Sequence, residues 1–201
     1  MTETRSHYWQ RYTSGNGTWR TDREPAPGAH LAALRRGIGR EPGDVPAMWP
    51  FYTTLRADGS VSDHLHAEHL ALTLFAVHQQ SQAAPVHRVG VGVGTAIRAL
   101  RLDGKFSAEA VDRRFGAAAT ATALGEVAHH LRGLITQLRG VKPQPGLDYT
   151  RLVADLVRWQ HPDRQAWVRR QWGSQYFVWT PGPSDPGDTT VITPTEPEET
   201  P

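Results

Sequence analysis

Along most of this chain apolar residues recur at steps of three and four, the period that gathers them on one side of an α-helix. The clearest stretch is Leu124, Val127, Ala128, Leu131, Leu134, Ile135 and Leu138, with Thr122 placed as N-cap and Gly140 just past the end. A second helix follows Asp148 as N-cap and aligns Tyr149, Leu152, Val153, Leu156 and Trp159. A third starts at His161-Pro162 and carries Val168, Trp172, Tyr176 and Trp179, while Ser107 caps a fourth with Val111, Phe115 and Ala118 on its apolar side. The run Leu70–Val77 has no polar alternation, but it sits inside Ser62–Gln82, a stretch without Gly or Pro, and that length predicts a central helix buried on most sides.

Shorter segments fill the front of the chain. Tyr8, Trp9 and Tyr12 mark a short aromatic helix, and Thr13–Gly28 reads as a loop. Leu31, Leu34 and Ile38 mark another short helix, followed after Pro46 by an aromatic segment with Trp49, Phe51, Tyr52 and Leu55. Hairpin pairs and internal repeats are missing. The expected fold is all-α: one helical bundle over residues 1–90 and a second over 91–179, joined by a Gly-rich linker and meeting around Pro85–Lys105. Residues 180–201 hold prolines, threonines and acids with little to bury, the composition of a disordered tail.

Composition narrows the chemistry. The 201 residues include no cysteine, which removes disulfides, thiolate nucleophiles and every cysteine-based metal site. No stretch reaches the roughly 18 apolar residues of a membrane span, and the first thirty residues lack a basic-then-apolar leader, so the expected location is cytoplasmic. The formal charge of +2 conceals an asymmetry. Five of the 20 acidic residues and no basic one lie in residues 180–201, leaving 22 basic against 15 acidic side chains, a net +7, on residues 1–179. Of those 22, 20 are arginine, whose planar fork of donors suits phosphate.

Catalytic patterns fail one after another. His64, His66, Glu68 and His69 resemble a metal cluster, yet on a helix only His64 and Glu68 share a face and no His-Glu-x-x-His occurs. Gly90-Val-Gly-Val-Gly94 lacks the third glycine and the preceding strand of a dinucleotide fingerprint. It reads instead as a flexible linker opening the helix Thr95–Leu100, with free amides for a phosphate backbone. No carboxylate set or nucleophile elbow is present, so no active site, cofactor or metal is expected.

The arginines carry the most information. Arg113 sits four residues after Glu109, and Arg151 and Arg158 flank Asp155, so these three read as helix-surface partners of acids. In contrast His129, Arg132, Thr136 and Arg139 form an acid-free stripe opposite the Leu/Ile face. Arg35 and Arg36 likewise project from an apolar-sided helix, Arg169-Arg170 lack an acid at four residues, and Arg88, Arg98 and Arg101 flank the glycine run. Uncompensated basic stripes on a helical body suggest a groove that follows a nucleic-acid backbone. Trp159 and Trp172 lie on apolar faces and read as core, whereas Trp9, Trp19 and Trp49 stay unplaced.

The stretches Ala32-Ala-Leu-Arg-Arg-Gly37, Asp44-Val-Pro-Ala-Met-Trp-Pro-Phe-Tyr52 and His87-Arg-Val-Gly-Val-Gly-Val-Gly-Thr-Ala-Ile-Arg-Ala-Leu100 come in one order with Val111-Asp-Arg-Arg-Phe115, Leu131-Arg-Gly-Leu134, Leu147-Asp-Tyr149, Arg158-Trp159 and Arg170-Gln-Trp172. In that order the chain resembles the CasB family, the small subunit of the type I-E CRISPR Cascade complex. The resemblance implies an all-α, non-catalytic protein present in two copies, contacting CasA, CasC and CasE, the crRNA and target DNA, and steadying both strands of the R-loop. It places positive charge at Arg35, Arg36, Arg88, Arg98 and Arg101, while Arg132 and Arg139 rest on periodicity alone. The long loop before Ala29 and the acidic tail depart from the family pattern, and the tail is expected to fold back on the basic groove and weaken non-specific binding. Two alternatives stay open on the residues: a stand-alone helical DNA-binding regulator, and a metal-dependent hydrolase using His64, Glu68 and His69.

Overall fold

Three short polar side chains start helices by accepting an otherwise unpaired amide: Ser62 from Leu65 N, Ser107 from Ala110 N and Asp148 from Arg151 N. The computed structural model describes residues 6–22 and 24–178. Among these residues seven α-helices span Gly28–Arg35 (α1), Asp63–Gln79 (α2), Val93–Leu102 (α3), Ala108–Thr120 (α4), Leu124–Leu138 (α5), Tyr149–Trp159 (α6) and Pro162–Phe177 (α7). Two 3-10 helices, Tyr8–Arg11 and Pro46–Phe51, complete the set, and among the described residues the only β pairing is two isolated bridges. The protein is all-α. The sequence signals at Ser62, Ser107, Asp148 and Pro162 therefore mark real helix starts, and Pro162 sits where its missing N–H costs nothing.

The central helix is α2. From Ala67 to Gln79 only Leu70 stays partly exposed, and α1, α5 and α6 pack around it. The other helices close a second set of contacts in which α3 lies against α7, α4 and α5. Buried side chains from both ends of the chain join one apolar cluster. Within it Trp9, Phe75 and Tyr149 pack in tilted and edge-to-face pairs with ring centroids 5.2–5.8 Å apart, and Trp159 stacks on Trp172 at 5.0 Å. Trp9 donates its indole N–H to Thr150 Oγ1 at 2.9 Å, so this unplaced tryptophan is core. Trp19 is half-buried with its indole bonded to the Ala83 carbonyl, and Trp49 is exposed with its own bonded to the Gly43 carbonyl. Trp179 and the tail lie outside the described residues.

Several local expectations are corrected. Thr122 does not cap α5: Ala123 holds that position, and Thr122 instead donates its amide to Glu126 Oε2, which reaches back one turn. Ile38 lies beyond the end of α1, and Trp49 and Leu55 face outward while Met48, Phe51 and Tyr52 enter the core. Helix α3 begins at Val93 rather than Thr95.

In the glycine run, Gly94 serves packing and Gly90 a turn with φ of +85°. A Cβ on Gly94 would collide with the Trp172 carbonyl oxygen and stand 2.7 Å from Gln175 Cβ and 2.8 Å from Tyr176 N, so only glycine lets α3 approach α7 this closely. The amides ahead of it are also spent, because Gly90 N donates to Asp148 Oδ2 at 2.8 Å and Val91 N to the Arg88 carbonyl. A phosphate cradle at Gly90 and Val91 is thereby excluded, since those donors already have acceptors.

Candidate nucleic-acid interface

Among the seven arginines singled out from the sequence, the structure separates those with partners from those without. Arg35 and Arg36 close α1, and Arg98 projects from α3; none of the three makes a side-chain hydrogen bond or ion pair among the described residues. Arg88 is exposed, its stem resting over Gly17 and Gly146, where a Cβ would come within 3.1 and 2.6 Å of the side chain. Arg101 is engaged: its Nε and Nη2 donate to the two oxygens of Asp112 at 2.8 and 3.4 Å, and Tyr176 donates its hydroxyl to the same carboxylate. Arg139 is half-buried against Gln80, with Nη1 3.5 Å from Gln80 Oε1.

The remaining basic residues divide in the same way. Arg169 lies over the Trp159 ring at 5.5 Å and donates to the Ala121 carbonyl, which makes it a packing residue rather than part of a free stripe. Arg158 stands 3.7 Å from Asp155, as the spacing predicts, and over the Trp167 ring at 4.9 Å. Glu109 and Arg113 do not pair despite their spacing; both are exposed, and on that face it is the neighbouring Asp112 that takes an arginine.

Arg132 belongs to a built feature. Nη2 of Arg132 lies 3.3 Å from His129 Nδ1, and both line a cleft of about 570 Å³ between α2, α5 and the turn after α1. Leu70, Leu74, Val77 and Ala128 form its apolar floor, and Arg40 stands on the opposite rim, exposed. Glu41, also on that rim, pairs with His66 at 3.4 Å. Sequence reasoning passed over Arg40 because it lies outside any helical stripe. The available signal was Gly39, whose φ of +71° marks a turn after α1, next to Arg40 in the cleft lining.

The His/Glu cluster is not a metal site. Glu68 is fully buried and accepts from the amides and hydroxyls of Thr53 and Thr54 and from His7. Burial pushes its pKa up, but the hydrogen bonds from His7, Thr53 and Thr54 outweigh that and leave it below the usual carboxylate value. His69 bonds Tyr52 Oη at 2.7 Å and the Gly37 carbonyl at 3.0 Å, and His64 is exposed. Among the described residues no three His, Asp or Glu side chains stand where they could hold a metal ion, and no helix is long and apolar enough to cross a membrane. Glu68 is a clamp on the extended exit from the second 3-10 helix. Glu68→Ala is expected to lower stability by about 3 kcal/mol, because it strands two amides and two hydroxyls, and urea unfolding at pH 7 measures it.

Known proteins share both the sequence pattern and this fold. The family profile of CRISPR-associated protein Cse2 matches residues 30–177. The chain belongs to the Cse2 family. A Cse2 protein of Thermus thermophilus is 29% identical over 170 residues, covering 84% of this chain and 86% of the relative. Among solved structures, CasB from Thermobifida fusca superposes with a TM-score of 0.59 at 29% identity, covering 74% of this chain and 84% of that one. CasB from M. ruber shares the fold with a TM-score of 0.60 at 20% identity, covering 85% and 90%. The Cse2 match ends at Phe177, so the acidic segment beyond it is not part of what the family profile describes.

Proposed function

We propose that this Cse2-family chain is a non-catalytic subunit of a CRISPR Cascade complex that holds nucleic acid by its phosphates and steadies the R-loop formed between crRNA and target DNA. The observation that carries the reading is the set of arginines whose side chains have no partner among the described residues, Arg35, Arg36, Arg88 and Arg98, on a helical body whose buried carboxylates are already engaged. Exchange of a DNA duplex for an RNA–DNA heteroduplex is nearly balanced, so modest backbone contacts are enough to shift it. Arg132 and Arg40 add charge at the cleft, while Arg101 and Arg139 contribute only by giving up the partners they have. Location in the cytoplasm, two copies per complex, contacts with CasA, CasC and CasE, and a boundary between two bundles near residue 90 belong to the same proposal.

Co-expression tests it directly. With the other Cascade subunits and a guide RNA, the chain is expected to co-purify at two copies, and its omission to weaken R-loop formation on a matched duplex. A chain that stays out of the complex overturns the assignment and favours the stand-alone helical regulator.

Backbone binding also has its own signature. Arg35→Ala combined with Arg36→Ala should lower affinity for unrelated duplexes equally and reduce the log–log salt slope by about 0.9 for each phosphate no longer neutralised. A change in sequence preference at constant salt slope is the result that contradicts it.

A further inference from the structure

The cleft between α2 and α5 joins an apolar floor of Leu70, Leu74 and Val77 to a rim that carries Arg40 and Arg132, together with Glu41, which is held at His66. One segment of this chain has the complementary pattern. Between Pro181 and Pro201 the only large apolar side chains are the adjacent Val191 and Ile192, with Asp185 and Asp188 before them and Glu196, Glu198 and Glu199 after. We propose that the acidic tail docks in this cleft, Val191 and Ile192 on its floor and the flanking acids at Arg40 and Arg132, and thereby shields part of the arginine surface from nucleic acid. The shielding rests on the reading of that surface as a phosphate-binding one; the docking does not.

Reach permits it. Gln160, on the cleft wall, precedes α7, whose 16 residues end at Phe177. At 1.5 Å per residue the helix separates the cleft wall from the start of the tail by roughly 24 Å. The 13 steps from Val178 to Val191 span up to about 43 Å when extended, enough to run back along α7 with slack. Tethering makes the encounter intramolecular, with an effective concentration on the order of millimolar, so an affinity too weak to notice between separate molecules suffices. Charge supports the direction: residues 180–201 carry five acidic and no basic side chains, against a net +7 on the remainder.

The test compares the full chain with the full-length double variant Val191→Ser/Ile192→Ser, which removes the apolar pair without altering charge or touching the helical body. Methyl resonances of Leu70, Leu74 and Val77 are expected to shift between the two proteins. Affinity for a 20-base-pair duplex of random sequence at low salt should rise in the variant, about tenfold if the tail is docked nine-tenths of the time. Unchanged methyl resonances overturn the docking and leave the nucleic-acid reading intact. Shifted methyls with no duplex binding by either protein overturn the nucleic-acid reading and leave the docking intact. Shifted methyls with equal duplex binding overturn the shielding, and methyl shifts that fade on dilution assign the cleft to a second copy of the chain instead.

Discussion

Gly94→Ala is expected to lower the thermal midpoint by roughly 6–12 °C, the shift that about 3 kcal/mol produces in a protein of this size. The added methyl would overlap the Trp172 carbonyl oxygen and crowd Tyr176 N, both backbone atoms of α7, so no side-chain rotation relieves it. Relief requires α3 and α7 to separate. That interface buries Val93, Ala96, Ile97 and Leu100 against Val168, Trp172 and Tyr176, and loosening it weakens packing along its whole length. Overpacked cores commonly lose about 1–3 kcal/mol, and a clash against backbone falls at the upper end. Gly133 is the control, because it lies inside α5 and a Cβ there meets nothing within 4 Å. Gly133→Ala should instead raise stability by about 0.5–1 kcal/mol through the better helix propensity of alanine. Circular-dichroism melts of the two variants give opposite signs if close approach is the reason for the glycine, and equal small shifts if it is not.

Acid should destabilise the protein well before its carboxylates titrate. His69, His78 and His87 are all buried, and burial lowers the pKa of each, that of His78 to about 3. Arg139 adds to the depression at His78, and the ring is enclosed by the Tyr149 hydroxyl 3.0 Å from Nδ1 and the Gln144 amide 2.8 Å from Nε2. A depressed histidine is neutral in the fold but takes up a proton in the unfolded chain near pH 6.5. Its stabilising contribution is therefore complete above that pH and shrinks as pH falls toward the folded value, by about 1.4 kcal/mol per unit.

Between pH 6.5 and 5, His78 alone should remove about 2 kcal/mol, and His69 and His87 add to that for as long as they stay neutral. Two carboxylates act on the same profile with opposite signs. Burial raises the pKa of Asp155 despite its bond from Trp172 Nε1, so Asp155 favours the fold as pH falls through its raised value. Glu68, with its pKa lowered, adds a further loss below the ordinary carboxylate range. Urea-unfolding free energies from pH 7.5 to 5 measure the histidine and Asp155 contributions, the Glu68 loss lying below that interval, and His78→Gln should reduce the slope by close to one proton. A flat profile over that interval would show that the three rings are not held neutral in the fold.

Much of the architecture was legible because helix formation leaves local traces. Asp148 and Ser107 were readable as caps and proved to accept the amides three residues on, since capping requires only a short oxygen beside the first turn. The stretch Ser62–Gln82 was readable as a central helix because nothing within it breaks one, and α2 occupies Asp63–Gln79. Trp159 and Trp172 were readable as core from their helical faces. Thr122 misled because it resembles a cap by type while the helix starts one residue later, a shift that local pattern does not resolve. The glycine run misled for a different reason. Local sequence shows that glycine can be flexible, but not that a neighbouring helix backbone, some 80 residues away, lies where its side chain would be.

The candidate interface divides along the same line. Charge asymmetry, the predominance of arginine and the outward-facing positions of Arg35 and Arg36 follow from composition and helical period, which are properties of adjacent residues. Which arginines stay unpartnered was decided by tertiary structure alone. Arg101 meets Asp112 across the α3–α4 turn, Arg139 meets Gln80 from a segment 59 residues earlier, and Arg169 settles on Trp159 and Ala121. Glu68 and Arg40 show the converse: one carboxylate that resembled a ligand is consumed by Thr53 and Thr54, and one loop arginine reaches the rim of a cleft. Periodicity specifies the face on which a side chain lies, whereas its partner is set by the helix packed against that face, and that packing is the outcome of the whole chain's burial.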